Sequence, residues 1–403
     1  MRDSNDRMTP LELRSSFSLA SIYALRMLGL FLVLPVFAIE AAHYPGGEDA
    51  VAVGLAMGIY GLTQGVLQIP FGMASDRWGR KRVIMLGLVL FSAGSIWAAW
   101  ATDLHGLMVG RAMQGAGAVS AAVTALLADQ TRDVVRTKAM ALVGGSIGLM
   151  FAVSLVLAPV LAAWMGLPGL FGLTAVLALG GVAVMRWWVP AEPSEQKDPG
   201  RRGLSWVLRN PGMLRLNVGV FVLHAVQMAM WVAIPGLLVS AGVITAHHWW
   251  VYLPTVLLSF GVLGGVLFPL ERRGHLRWAI RMAIGAVMLV QLGFWWAVPQ
   301  PELWPLVALL LLFFCGFNML EASQPSLASR LAPARVRGAA LGVFNTLQSL
   351  GFFAGGVAGG WLVKNYGAGA VFAACAACTC IWLVVAWHTP TQPDPVVPAT
   401  ATT

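Results

Sequence analysis

The chain has 403 residues, 58% of them hydrophobic and only 11% charged, with a formal net charge of +9. Soluble domains carry about 25% charged residues, so the composition excludes an ordinary water-facing globule. The basic balance raises nucleic acid as a partner, and the placement of the charges along the chain excludes it.

Twelve apolar stretches of about 20 residues follow one another: 17–42, 50–72, 82–101, 105–128, 138–164, 168–189, 214–241, 248–270, 276–298, 303–329, 338–363 and 367–388. Each is long enough to cross about 30 Å of hydrocarbon. Backbone polar groups in lipid must be satisfied within the protein, so continuous runs of this length predict helices. The first run holds Arg26 and lacks a small-residue cleavage site, so it reads as a retained span rather than a signal peptide. Assigning the connections alternately puts all Lys and Arg except Arg26, Arg111 and Lys364 on one side. That asymmetry predicts both termini in the cytoplasm, and it makes the basic charge a matter of orientation.

The connection PAEPSEQKDPGRRGLSWVLRNPG (190–212) divides six spans from six. The expected organisation is residues 1–189 as one six-helix bundle, 190–213 as a cytoplasmic linker, 214–388 as a second bundle and 389–403 as a disordered tail. Two echoes relate the halves: Asp76-Arg77-Trp78-Gly79 with Glu271-Arg272-Arg273-Gly274, and RTKAMAL (136–142) with RVRGAAL (335–341). Repeated halves with a site at the midplane of their interface are a transporter architecture. The four cysteines, Cys315, Cys375, Cys378 and Cys380, all fall inside spans and read as small packing residues, with no metal site and no disulfide.

A charge at the bilayer centre costs at least about 2.5–3.5 kcal/mol, so each one needs a reason. Arg26, Arg111 and Glu321 are such charges, and His224 is an ionisable neutral. Around them run polar stripes at helical spacing: Tyr23 and Arg26; Tyr60, Gln64 and Gln68; Arg111 and Gln114; His224, Gln227 and Trp231; Asn318 and Glu321; Asn345 and Gln348. The stripes predict a shared, partly wet cavity. The alternative is polar glue between helices, with the arginines tying off carbonyls of a neighbouring broken helix. Glu321, a carboxylate deep in a span, is the expected proton carrier, with His224 as its partner. Glycines in GFFAGGVAGGWL (351–362) and GGSIG (144–148) predict close helix approach, and these two spans are expected to form the contact between halves.

GMASDRWGRKRV (72–83) follows the loop 2–3 signature G-x-x-x-D-R-x-G-R-R/K, and GRAMQGAGA (110–118) resembles a fourth-span signature of the same family. On these residues the chain resembles the major facilitator superfamily. LRMLGLFLVLPV (25–36), GIYGLTQGVLQIPFG (58–72), RTKAMA (136–141) and NMLEASQPSL (318–327) place it nearest the drug:proton antiporter branch. One departure is SLVLAPVLAA (154–163), where Ser and Ala replace the glycines of the antiporter signature around Pro159. Some members carry a soluble domain after the last helix; this sequence stops at Thr403, and that domain's function is expected to be absent.

The resemblance implies an all-α integral membrane fold of twelve helices in two pseudo-repeated bundles. It implies a monomer in a bacterial inner membrane, exporting a small amphipathic or drug-like compound in exchange for protons, with no cofactor beyond the gradient. The binding cavity would use Arg26, Tyr60, Gln64, Arg111, Gln114, Gln227, Trp231, Asn318, Asn345 and Gln348. A conformational latch would place Asp76 against the helix N-terminus near Gly338, with Arg77, Gly79 and an Arg80–Asp129 bridge supporting it. A proton symporter or facilitator importing a metabolite is the alternative within transport. A membrane-embedded enzyme or a signalling scaffold stands outside transport; against the enzyme, no nucleophile–base set, H-E-x-x-H or phosphate loop is present.

Overall fold

The computed structural model describes residues 7–192, 202–262, 265, 270, 275–333 and 336–387. Within its helices, the side chains of 76, 133, 134, 136–138, 141, 202, 203, 329, 337 and 338 are not described. The echo at 271–274 and the tail from 388 onward lie outside the described residues.

The helices are α1 (Pro10–Ala41), α2 (Ala50–Trp78), α3 (Arg80–Trp100), α4 (Leu104–Ala116), α5 (Ser120–Asp129), α6 (Asp133–Trp187), α7 (Arg202–Arg209), α8 (Pro211–Ser240), α9 (Trp249–Val262), α10 (Leu276–Ala297), α11 (Leu303–Leu331), α12 (Arg337–Tyr366) and α13 (Ala368–Ala386). Among the described residues, nine helices are long and apolar enough to cross a membrane. Twelve spans are recovered because α6 holds two, α4 and α5 together make one broken span, and α9 begins another. The break inside α6 falls at Gly166 (φ 62°, ψ −173°), a conformation that glycine adopts without steric cost, with Pro168 two residues on. The chain is an all-α, multi-pass membrane protein.

α1 starts seven residues before the apolar run. Thr9 and Glu12 form a reciprocal capping box that satisfies its first donors. Exposed tryptophans mark two girdles. Trp78, Trp187, Trp188, Trp278 and Trp387 lie at the basic end, and Trp100, Trp164, Trp250, Trp296 and Trp304 at the far end. Amphipathic rings of this kind settle at headgroup level.

The two sets of six spans meet along a glycine seam. A Cβ at Gly54 would overlap the Gly356 carbonyl, one at Gly58 would sit 2.7 Å from the Phe353 carbonyl, and one at Gly61 would overlap that of Ser349. The seam ends at Gly65 against Leu350; beyond it Val66, Ile69 and Met73 of α2 are exposed. The other face of the same glycine-rich stretch lets α12 close on α8, at Gly351 and Gly355. The fifth span also meets the second half, as expected, but not through its glycines: Phe151 of α6 packs on Phe314 and Phe317, whereas a Cβ at Gly144, Gly145 or Gly148 would meet nothing within 4 Å. The partner of 351–362 across the halves is α2, whose glycines recur every three or four residues and so line one face.

At the far end the seam is closed by an ion pair. Asp49, the N-cap of α2, accepts Val51 N–H at 2.9 Å and the Lys364 ammonium at 2.9 Å. The hydrogen bond from Lys364, then that from Val51, hold the Asp49 carboxyl below its usual range. A depressed carboxyl contributes stability above its unfolded pKa of about 3.9 and loses it as pH falls through the folded value. The thermal midpoints of wild type and Asp49→Asn are therefore expected to differ near neutral pH and to converge as the pH falls below the usual carboxylate range. A constant difference across that range would show that the pair plays no part.

Candidate functional site

Two polar clusters form in the interior, one on each side of the seam. In the first, Arg26 is 1% exposed and its guanidinium is held from several directions. Nη2 donates to Tyr60 Oη at 2.8 Å, and at 3.4 Å to both Gln64 Oε1 and the Gly117 carbonyl; Nη1 donates to Ser120 Oγ at 3.3 Å. The cation also lies 5.4 Å from the Phe91 ring centre. Arg111, equally buried, donates to Gln114 Oε1 at 3.0 Å and to the Met57 carbonyl at 3.2 Å, and its guanidinium stands 5.0 Å over the Tyr60 ring. Gln114 passes the chain on to Ser95 Oγ at 2.8 Å.

Five residues of three different spans, Arg26, Tyr60, Gln64, Arg111 and Gln114, are thus drawn into one network, with two arginines bracketing the Tyr60 ring. Its partners include groups no polar stripe announced. Because α4 stops at Ala116 and α5 starts only at Ser120, the Gly117 carbonyl makes no helical bond; it accepts Val119 N–H at 2.9 Å in the turn and keeps a second lone pair for Arg26. A break at membrane depth is tolerated where protein groups re-satisfy the backbone, and Arg26 does that here.

The second cluster sits on α8, α11 and α12. His224 Nδ1 lies 2.8 Å from the Val220 carbonyl; since a carbonyl only accepts, Nδ1 carries a hydrogen. Nε2 then faces two partners, Gln348 Nε2 at 2.7 Å and Glu321 Oε2 at 3.3 Å. Gln348 Nε2 also reaches Glu321 Oε1 at 3.4 Å. The His224 side chain is 2% exposed, whereas that of Glu321 is 40% exposed. Glu321 therefore departs from a sealed, lone carboxylate: one edge touches His224 and Gln348, and much of the rest is exposed. An aromatic layer stands beside the cluster. Phe317 and Phe352 pack edge-on to His224, and Phe151 reaches across from α6 to Phe314 and Phe317.

The remaining candidates have other partners among the described residues, or none. Asn318 donates to Ser259 Oγ of α9 at 2.8 Å. Trp231 packs edge-to-face on Tyr252. Gln227 is buried, and among the described residues its Oε1 has no hydrogen-bond partner, nor has either polar atom of the Gln68 side chain. Asn345 is half-buried on α12. No hydrogen bond among those described joins Gln227, Trp231, Asn318 or Asn345 to His224 or Glu321.

At the basic end, α2 stops at Trp78 because Gly79 adopts φ 93°, and α3 begins at once. Arg77 is exposed. Arg80 donates to Asp129 Oδ2 at 3.0 Å and to Ser75 Oγ at 2.9 Å, joining α3 to the ends of α5 and α2. The Asp76 side chain and the surroundings of Gly338 lie outside the described residues. The sequence reading missed Glu192, whose carboxylate accepts Arg80 N–H at 3.0 Å and Lys81 N–H at 2.7 Å. An anion there caps the orphan donors and the positive end of α3. Lys81 Nζ answers by donating to the Val189 carbonyl at 2.9 Å, which pins the start of the linker to the loop. Removing such a charge-assisted cap costs about 1–2 kcal/mol. Glu192→Ala is expected to lower the thermal midpoint in detergent while Glu192→Gln retains part of it; an unchanged midpoint in both would remove the cap from the account.

Comparison with known proteins agrees with this layout. Residues 19–356 match the Major Facilitator Superfamily. The chain is 42% identical over 384 residues to the inner membrane transport protein YajR of Escherichia coli (strain K12), covering 94% of this chain and 84% of that relative. It is 27% identical over 356 residues to the multidrug resistance protein MdtH of Shigella boydii, covering 83% of each. Among solved structures, the human organic anion transporter MFSD10 superposes with a TM-score of 0.71 at 18% identity, over 94% of this chain and all of that one, which speaks to the fold alone. The chain belongs to the major facilitator superfamily and is a membrane transporter, not an enzyme.

Proposed function

We propose that the protein exports a small amphipathic compound in exchange for protons, by alternating access across a bacterial inner membrane with both termini cytoplasmic. The observation that carries the proposal is the contest for His224 Nε2. With Nδ1–H committed to Val220, a neutral imidazole accepts from Gln348 at Nε2. A protonated one donates from Nε2 to Glu321 and must release the Gln348 amide. Binding of one proton thus changes which helix holds the ring: α12, which forms the seam, or α11. A switch of that kind needs only a few kcal/mol of differential stabilisation to bias two states.

The Arg26–Tyr60–Arg111 network supplies buried cation and hydroxyl chemistry on the opposite wall. Gln64, Gln114, Gln227, Trp231, Asn318, Asn345 and Gln348 offer amide and aromatic contacts for a substrate between the walls. Unpartnered buried amides such as Gln227 are costly by about 1–3 kcal/mol each, and a bound polar ligand offsets that cost. The α2–α3 junction at 76–80 serves as the latch on the basic side, with Asp76 closing on the start of α12 near Gly338 and Arg80 and Asp129 holding its shape. The named function of MdtH, multidrug resistance, favours a drug-like substrate. Residues 1–189 and 214–388 would rock as two bundles about the seam, joined by 190–213.

The test is reconstitution into proteoliposomes loaded with a pH dye. An imposed gradient, acid on the far side, should drive compounds from a cationic and amphipathic panel toward that side, and each transported compound should collapse the gradient. Uptake with the protons instead would establish the import alternative, and compound flux without any dye response would remove proton coupling.

A further inference from the structure

The helix α7 has three faces, and one of them is buried against protein. Val207 is fully buried and Trp206 half-buried, and through them α7 packs on α12 and the start of α8. Leu204 and Leu208, one turn apart, are 42% and 53% exposed. Ser205 and Arg209 are exposed on the third face, about 100–140° around the axis from Leu204. An apolar edge beside a basic edge on one short helix is the arrangement of a segment lying in a membrane interface.

Position supports this. Asn210 N–H closes α7 onto the Trp206 carbonyl at 2.9 Å, and the Asn210 side chain caps α8 at Met213, with Pro211 in the first turn of α8. That corner fixes α7 at the basic end of α8. The exposed tryptophans Trp187, Trp188, Trp278 and Trp387 lie at the same end, where they mark headgroup level. In the sequence the segment is basic: Arg201, Arg202, Arg209 and Arg215 fall within 15 residues, and no acidic residue intervenes among them.

We propose that α7 is a docking surface for anionic lipid, with Leu204 and Leu208 seated among acyl chains and the flanking arginines on lipid phosphates. Each basic residue near an anionic surface contributes a favourable term that fades within a Debye length. Since α7 rests on α12, lipid charge acquires a hold on the basic end of the helix that forms the seam. The inference stands apart from the transport reading and does not require a known substrate.

An environment-sensitive dye on Leu204→Cys or Leu208→Cys tests it, in the full chain with Cys315, Cys375, Cys378 and Cys380 replaced by alanine. In nanodiscs of phosphatidylglycerol the dye should be blue-shifted and at least about twofold brighter than in pure phosphatidylcholine. A label at Ser205→Cys should stay water-like in both. High salt, or Arg202→Gln with Arg209→Gln, should erase the difference between lipids. Hydrogen exchange over 339–345 of α12 should be several-fold slower in the anionic discs. Equal dye emission in the two lipids overturns the docking surface, and equal exchange overturns its hold on α12. Because the lipid comparison needs no arginine variant, a failure of those variants to fold leaves the decision intact.

Discussion

Glu321→Gln is expected to cut transport driven by a proton gradient at least tenfold, about 1.4 kcal/mol or more in the coupled step, while leaving substrate counterflow measurable. The amide preserves shape and its oxygen still accepts from Gln348, so packing around His224 and Phe317 should survive. What it removes is the charge that stabilises a protonated Nε2 across the 3.3 Å contact. The α11 side of the contest for Nε2 is then weakened, and the exchange of partners between α11 and α12 stops. A second variant separates this from simple damage. Gln348→Glu offers Nε2 an acceptor on α12 as well, so the proton no longer selects between helices, and coupling should fall with binding retained. Full gradient-driven flux in Glu321→Gln would remove the cluster from proton handling, whatever the substrate.

The second large effect is expected at the seam. Gly54→Leu places a side chain where the Gly356 carbonyl and the Gly360 Cα already lie. Overpacking of a close contact costs about 1–3 kcal/mol, which here falls on the far-closed arrangement alone. A coupling of that size changes a two-state ratio by about 5- to 150-fold. A cysteine at the buried Val53, in the same alanine-substituted background, should react with a maleimide about tenfold faster in Gly54→Leu than in the parent, and turnover should fall. Gly144→Leu is the control: open space surrounds that position, so labelling and turnover should stay near the parent's values. Unchanged labelling in Gly54→Leu would mean that the seam does not hold the far face shut. The Asp49–Lys364 pair lies at the same edge, and its screened, exposed contribution is expected to be the smaller of the two.

Much of the architecture could be read from the chain itself. Apolar runs of about 20 residues leave no option but helices, because hydrocarbon offers no partner to a backbone N–H, and the one-sided placement of Lys and Arg predicts an orientation. Arg26, Arg111, Glu321 and His224 stood out for the same reason: a costly group in an apolar run needs a partner. That argument names the residue and says nothing of who the partner is.

The partners were decided by the tertiary structure. Ser95 and Ser120 are ordinary small polar residues in their spans, and only the packing of α3 on α4 and of α5 on α1 brings them to Gln114 and Arg26. The break at 117–119 is invisible in an apolar run, since Gly117, Ala118 and Val119 read as a continuous span. The glycines of α2 sat in plain view at spacings of four, three and four, yet spacing shows only that they share a face and cannot say which helix they meet. Glu192 fell in a charged linker where any acid looks solvated; folding back onto Gly79 made it the cap of α3. What the sequence determines by itself, then, follows from the membrane acting on each residue separately: helices, topology and the few polar groups that must have a purpose. Which groups meet depends on contacts between residues far apart in the chain, such as His224 with Gln348, and only the packed helices supply those.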